Sequence, residues 1–172
     1  MKLKKTIIFT DPQKKFLSFL PKNLNNIEIL CAGAWCEEKS YFLKNKKFKI
    51  FSNPFENKKQ KEKSFYILKE KYDYFLNDLT NFLNKIHRVK YSKNYWEQII
   101  GMWLFDFLTL ILEKYLIVKK FKNSSRVIIY KINNKSDYSI NSRQANFLYT
   151  SHIWNNNVFC FLTKKCLTVI IL

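Results

Sequence analysis

The chain has 172 residues, of which 47% are hydrophobic and 17% aromatic, and it carries a formal net charge of +18 at pH 7. This length and apolar content supply one packed core, which excludes global disorder and leaves no room for a second full domain. Only three of the 31 basic residues are arginines, at positions 88, 126 and 143. Because the reading of base edges relies on the arginine fork, we expect no specific nucleic-acid partner. We interpret the charge as solvated lysine faces plus the codon bias of an AT-rich genome.

Short, continuous apolar runs in the first third of the chain predict buried strands. They lie at residues 6–10, 27–31 and 48–51, and Asp11 with Pro12 forms a helix entry between the first two. Strands without polar alternation are typical of parallel sheets covered on both faces. The sequence therefore predicts an α/β fold with a Rossmann-like parallel sheet, to which residues 127–132 add a fourth strand.

The clearest periodicity lies at residues 61–87, where apolar residues are alternately three and four apart. This stripe predicts an amphipathic helix, and its members are Phe65, Leu68, Tyr72, Phe75, Leu79, Phe82 and Ile86. A second helix at 93–120 is apolar on most of its circumference, so we expect it to be buried on most faces, with Asp106 paired or protonated. The two helices, joined by residues 88–92, should form a long antiparallel hairpin inserted into the sheet fold at residues 61–120.

The remaining organisation is that of a single lobe. We expect residues 1–165 to form one N-terminal lobe and residues 166–172 an apolar tail, which is unusual for a complete domain and favours a truncated or frame-shifted reading. No stretch has the pattern of a signal peptide or the length of a membrane span. We expect a cytoplasmic protein, with peripheral contact to the anionic inner face of the membrane as a further hypothesis.

Two segments carry a family resemblance. Gly33, Trp35 and Cys36 fit a strand ending in G-x-W-C, and a helix reading Y-W-x-x-x-x-G-x-W is matched by Tyr95, Trp96, Gly101 and Trp103. A segment N-x-I-H, residues 84–87, precedes the second signature. In these residues the chain resembles a family of bacterial transferases found with surface-polysaccharide biosynthesis, over most of residues 1–165.

The resemblance implies a glycosyltransferase-like enzyme with two facing Rossmann-like lobes, of which this chain is the N-terminal, acceptor-side lobe. In such enzymes the C-terminal lobe holds most of the sugar nucleotide. The resemblance therefore implies that a nucleotide-activated donor binds only a complete family member, that an acceptor carbohydrate is a partner of this lobe, and that the chain alone is inactive.

Candidate site residues follow the predicted strands. Ligands of parallel sheets bind beyond the carboxyl ends of the strands, which places Asp11, Gly33, Trp35, Cys36, Glu37 and Asn53 at one edge. We predict Asp11, Glu37 and His87 as proton acceptors in catalysis, and Gly33, Trp35, Cys36 and Asn53 as cleft residues.

Structural roles compete with these predictions: a tight turn for Gly33, a core anchor for Trp35 and a helix C-terminal cap for His87. No phosphate-binding glycine loop and no metal-ligand spacing occurs in the sequence, so we expect no cofactor and no metal. A rival hypothesis of another class is a noncatalytic basic module that binds anionic membrane or nucleic acid. A second lobe encoded downstream would favour the transferase, and a normal stop followed by unrelated sequence would favour the module.

Overall fold

A computed structural model gives the fold and describes residues 5–9, 27–31, 48–51, 53–120, 127–129, 151–166 and 169–171. Three helices dominate the described residues: α1 Lys58–His87, α2 Lys93–Lys120 and α3 His152–Cys166, of 30, 28 and 15 residues. A 3-10 helix, Pro54–Glu56, precedes α1. The strands are β1 Lys5–Phe9, β2 Ile27–Cys31, β3 Phe48–Ile50, β4 Val127–Ile129 and β5 Val169–Ile171. In the described part of the chain, no helix has the length and apolar character needed to cross a membrane.

The strands pair in the order β3-β2-β1-β4-β5, and every pair is parallel. In β1 the register sets Ile7 opposite Ile29 of β2 and Ile128 of β4. Beyond β3, the Phe51 amide donates to the Cys31 carbonyl at 2.8 Å. Strand β5 lies within the segment that the sequence suggested as an apolar tail.

The predicted Rossmann-like α/β fold is wrong, because the described residues are mostly helical. The strands hold only three to five residues each, against 73 residues in the three helices. Strand β3 also lacks the two covered faces that continuous apolar strands require, since Lys49 and Ile50 are exposed.

Contacts divide the chain into two compact units. One, here called the sheet unit, comprises Met1–Asn53 and Lys114–Leu172, and the other, the hairpin unit, is Pro54–Glu113. The core of the sheet unit joins the last turns of α2 to α3 and β2. Its buried residues are Leu30, Ile117, Val118, Phe159 and Cys160.

Helices α1 and α2 begin and end within three residues of the limits that the sequence predicts. Asn57 caps α1 by accepting a hydrogen bond from the Gln60 amide at 3.0 Å, and Ser92 caps α2 by accepting from the Tyr95 amide at 3.2 Å. Arg88 ends α1 in the left-handed region, with φ 55°. Near the link, Asn84 of α1 contacts Trp96 of α2, and farther from it Tyr72 contacts Phe105. Contacts between the helices thus move backwards along α1 as they move forwards along α2, so the helices are antiparallel.

The face that α1 buries differs from the predicted stripe. Every fourth residue is buried or half-buried, namely Ser64, Leu68, Tyr72, Leu76, Thr80 and Asn84. Four members of the predicted stripe, Phe65, Phe75, Phe82 and Ile86, are exposed. On α2 the corresponding row is Trp96, Ile100, Leu104 and Leu108.

This difference has a geometric reason. A stripe of period 3.5 needs a supercoiled pair, whereas rows of residues four apart form the ridges of helices that cross at an angle. Asp106 lies outside the buried row and is exposed, which corrects the expectation that it is buried on an apolar helix face.

Candidate functional site at the turn of the hairpin

Asn84 organises the five-residue link between the helices. Its side-chain nitrogen donates to the Tyr91 carbonyl at 2.9 Å, and its side-chain oxygen accepts from the Tyr91 amide at 3.0 Å. The same oxygen accepts from Trp96 Nε1 at 2.9 Å, while the Asn84 carbonyl accepts from the amides of Arg88 and Val89. One amide side chain thereby fixes the link and the first turn of α2, because it satisfies polar groups on both.

Four rings gather around this link, and we call them the turn surface: His87, Tyr91, Tyr95 and Trp96. His87 stacks on Trp96 with centroids 5.7 Å apart and planes 29° apart, and Tyr91 lies 4.1 Å from Tyr95. Tyr95 meets Trp96 edge to face at 5.3 Å. Trp96 is buried, but Tyr91 and Tyr95 remain 45% and 41% exposed and His87 is exposed. The turn surface therefore presents two phenols and an imidazole to solvent on a fixed base.

The chemistry of this arrangement is that of a small polar-aromatic platform. An exposed aromatic ring can pack against an apolar face of a ligand, and the hydroxyl of a tyrosine ring can form a hydrogen bond with it. Imidazole is the side chain best suited to exchange a proton near neutral pH. His87 occupies the last position of α1, as the capping interpretation required, and stands on the Trp96 ring.

The family signature continues two turns into α2 with a close helix contact. Tyr72 Oη donates to Glu97 Oε1 at 3.1 Å and lies where a side chain at Gly101 would project. A Cβ at position 101 would come 2.5 Å from Tyr72 Oη. Burial first, and the hydrogen bond to Glu97 second, raise the pKa of the Tyr72 phenol. Gly101 is thus required by the close approach of Tyr72.

The predicted site residues are only partly within the described part of the chain. Five of them lie outside the described residues, namely Asp11, Gly33, Trp35, Cys36 and Glu37. Their clustering at the sheet edge therefore stays a prediction. Asn53 is exposed and directly precedes the 3-10 helix in the chain. His87 is the predicted catalytic residue that the structure places, and it belongs to the turn surface rather than to a strand end.

Sequence reasoning missed both Asn84 as the organiser of the link and Tyr91 as part of a surface. The available signal was the position of Asn84 in the last turn of a predicted helix, four residues before Arg88. Side-chain amides at such positions readily form hydrogen bonds with nearby backbone groups. Tyr91 stood in a predicted link, where an aromatic residue usually marks packing against the adjacent helices.

A second cluster, in the sheet unit, was also missed. Lys114 is fully buried in α2, with Nζ 5.6 Å from the centroid of the Trp154 ring in α3. Asn155 and Asn156, the next two residues of α3, are buried as well. A lysine inside an otherwise apolar helix was the signal, because such a residue is buried only with partners.

Metal binding finds no support in the residues that the structure describes, where no three His, Cys, Asp or Glu side chains group closely enough to hold an ion.

Comparison with known proteins identifies the family. Residues 15–169 match the model of a family described as LIC12162 family transferase. Neither a curated protein nor a solved structure matches the chain. The matched segment covers most of the sequence and includes the complete hairpin with its turn surface. The chain therefore belongs to the LIC12162 family of transferases.

Proposed function

We propose that the chain is the acceptor side of a glycosyl-transferring enzyme of surface-carbohydrate biosynthesis, and that the turn surface binds the acceptor sugar. The observation that carries the proposal is the exposed set of His87, Tyr91 and Tyr95 held over the buried Trp96. Membership of a transferase family supports the reaction type. The sugar, the donor nucleotide and the role in surface carbohydrate are parts of the proposal.

The shape of the turn surface suits a sugar ring. A pyranose has a face of C–H bonds that packs against an aromatic ring, and hydroxyls at its edge that need donors and acceptors. Tyr91 and Tyr95 carry both kinds of group, a ring and a hydroxyl, on side chains that remain exposed. Asn84 holds the backbone of Tyr91 in place, so binding costs little ordering of the link.

His87 is the proposed proton acceptor. In the transfer step an acceptor hydroxyl oxygen forms a bond to the anomeric carbon of the donor, while the bond from that carbon to the nucleotide diphosphate oxygen breaks. The hydroxyl proton passes to the imidazole, and the diphosphate leaves with the electron pair of the broken bond. Such a base contributes about 10² to 10⁴ in rate.

Complementation of a deletion strain tests this function. Cells that lack the gene should lose a surface carbohydrate, the reintroduced wild-type gene should restore it, and the gene with His87→Ala should fail to restore it at equal protein level. Asn81→Ala is the matched control, because Asn81 is exposed on α1 two turns before His87 and outside the turn surface.

Two results would oppose the proposal. Full restoration by His87→Ala would remove the proton acceptor, and an unchanged cell surface in the deletion strain would remove the role in surface carbohydrate. The rival hypothesis of a noncatalytic basic module gains if either result occurs.

A further inference from the structure

The first three turns of α1 expose an unusual combination of side chains. Lys58, Lys59, Lys61 and Lys63 are all exposed, and no acidic residue lies in the first turn. Phe65 and Tyr66 follow directly and are 54% and 73% exposed. Lysines at a helix N-terminus oppose the positive end of the helix dipole, so this arrangement is unfavourable for the isolated helix.

The aromatic and basic side chains share one side of the helix. Phe65 is seven residues after Lys58 and Tyr66 seven after Lys59, and two helical turns bring a residue back to nearly the same side. Lys69, four residues after Phe65, continues that side. We call these five residues the aromatic–lysine face.

The opposite side of the same turns is packed. Ser64 and Leu68 are buried in the hairpin, so α1 holds the aromatic–lysine face outward. Glu62 also lies on this face and is the single acidic residue in the sequence from position 58 to 69, against five lysines. The face, with three lysines against Glu62, is therefore both basic and partly apolar.

We propose that the aromatic–lysine face binds the surface of membranes that contain anionic lipids. Phenyl and phenol rings enter the boundary between headgroups and acyl chains, while lysines extend towards lipid phosphates. Charge complementarity favours this occupant, since a neutral surface would leave Lys58, Lys59 and Lys69 without counter-charges.

A nucleic acid fits the face less well. Arginine, the side chain with the best geometry for phosphate and base edges, is absent from the face, and one convex helix side offers no groove for a strand. The phenyl ring of Phe65 is better satisfied by lipid than by a solvated phosphate backbone.

Vesicle co-sedimentation of the full chain is the direct test. The probes are vesicles of phosphatidylcholine with one quarter phosphatidylglycerol, and vesicles of phosphatidylcholine alone, in about 0.1 M salt. We expect binding to the anionic vesicles only, weakened at least tenfold at about 0.5 M salt. The double variant Phe65→Ala/Tyr66→Ala should bind roughly tenfold more weakly, although its net charge is unchanged.

The matched control is Tyr74→Ala/Phe75→Ala, a second exposed aromatic pair of the same helix that lies off the aromatic–lysine face. It should bind anionic vesicles like the wild type. Equal binding by the Phe65/Tyr66 variant, or equal loss in the control, would overturn the proposal. So would a short RNA or DNA strand that binds tightly at the same salt and loses its affinity in the Phe65/Tyr66 variant.

Discussion

Asn84 shows how one residue can define a candidate site. It belongs to the segment N-x-I-H that carried the family resemblance. Its side chain forms hydrogen bonds with Tyr91 of the link and with Trp96 of α2, and so fixes the link. His87 of the same segment was predicted both as a helix cap and as a base, and its position at the end of α1 was correct. What the sequence could not supply was the ring beneath it, because Trp96 is nine residues away on another helix.

We predict that Asn84→Ala destabilises the protein by about 2–3 kcal/mol, because Trp96 Nε1 and both backbone groups of Tyr91 lose their partner. Urea unfolding followed by circular dichroism measures the change. Asn81→Ala should change stability by less than about 0.5 kcal/mol, as expected of an exposed position. A similar loss in both variants would contradict the role of Asn84.

Helices α1 and α2 were the most predictable elements. The apolar pattern of each helix extends over several turns, and the predicted limits agree with the structure within a few residues. Which side of α1 is buried was less predictable, since Phe65, Phe75 and Phe82 fit a heptad stripe as well as Leu68 and Leu76 fit a row of period four. The crossing of the two helices decides between these patterns, and it is a tertiary property.

Gly101 provides a test of that crossing. In the wild type, Gly101→Ala should destabilise by roughly 1–2 kcal/mol, because the new Cβ displaces Tyr72 Oη and breaks its bond to Glu97. With Tyr72→Phe in place, the same substitution should instead be neutral or stabilise by up to about 1 kcal/mol, the gain in helix propensity of alanine over glycine. Additive effects in this double-mutant cycle would show that the two residues do not touch.

The ion pair between Asp73 and Lys93 also joins the two helices, at 2.9 Å. Lys93 holds the pKa of the Asp73 carboxyl below its ordinary value, by a hydrogen bond first and by charge second. A carboxyl group whose pKa is lowered by folding contributes stability at pH values above its unfolded-state pKa. This contribution is lost as the pH falls through its folded-state pKa.

Asp73→Asn should therefore lower the urea midpoint slightly at pH 7 and leave it unchanged near pH 2, where the aspartate is already protonated. The effect should be small because the pair is exposed to solvent. A difference between variant and wild type that persists or grows in acid would indicate another cause.

At the scale of the molecule, membership of a transferase family was predictable and the fold class was not. Signature residues in two segments led to a transferase family, and residues 15–169 match one. The Rossmann-like prediction took its support from apolar runs that form strands of only three to five residues, while most described residues are helical. A short apolar run does not show how long its strand will be, because the length of a strand depends on pairing partners that are distant in sequence.

Charge is distributed unevenly along the chain. Residues 54–113 contain ten basic and eight acidic residues, so most of the net charge of +18 belongs to the sheet unit. We predict that the chain binds duplex DNA no more tightly than ~10⁻⁴ to 10⁻⁶ M at physiological salt, the range of nonspecific phosphate contacts. A mobility-shift assay with random and defined duplexes measures this, and nanomolar binding to a defined sequence would refute it.

The central claim, that the turn surface binds a sugar, is tested most directly by following the indole N–H of Trp96 by NMR. Trp96→Phe assigns this signal among the four tryptophans of the ¹⁵N-labelled chain, which is then titrated with methyl hexopyranosides and short oligosaccharides. We predict a saturable shift with roughly millimolar affinity for at least one sugar, lost in Tyr95→Ala and retained in Tyr74→Ala. No saturable shift with any sugar, or the same shift in Tyr95→Ala, would contradict the claim.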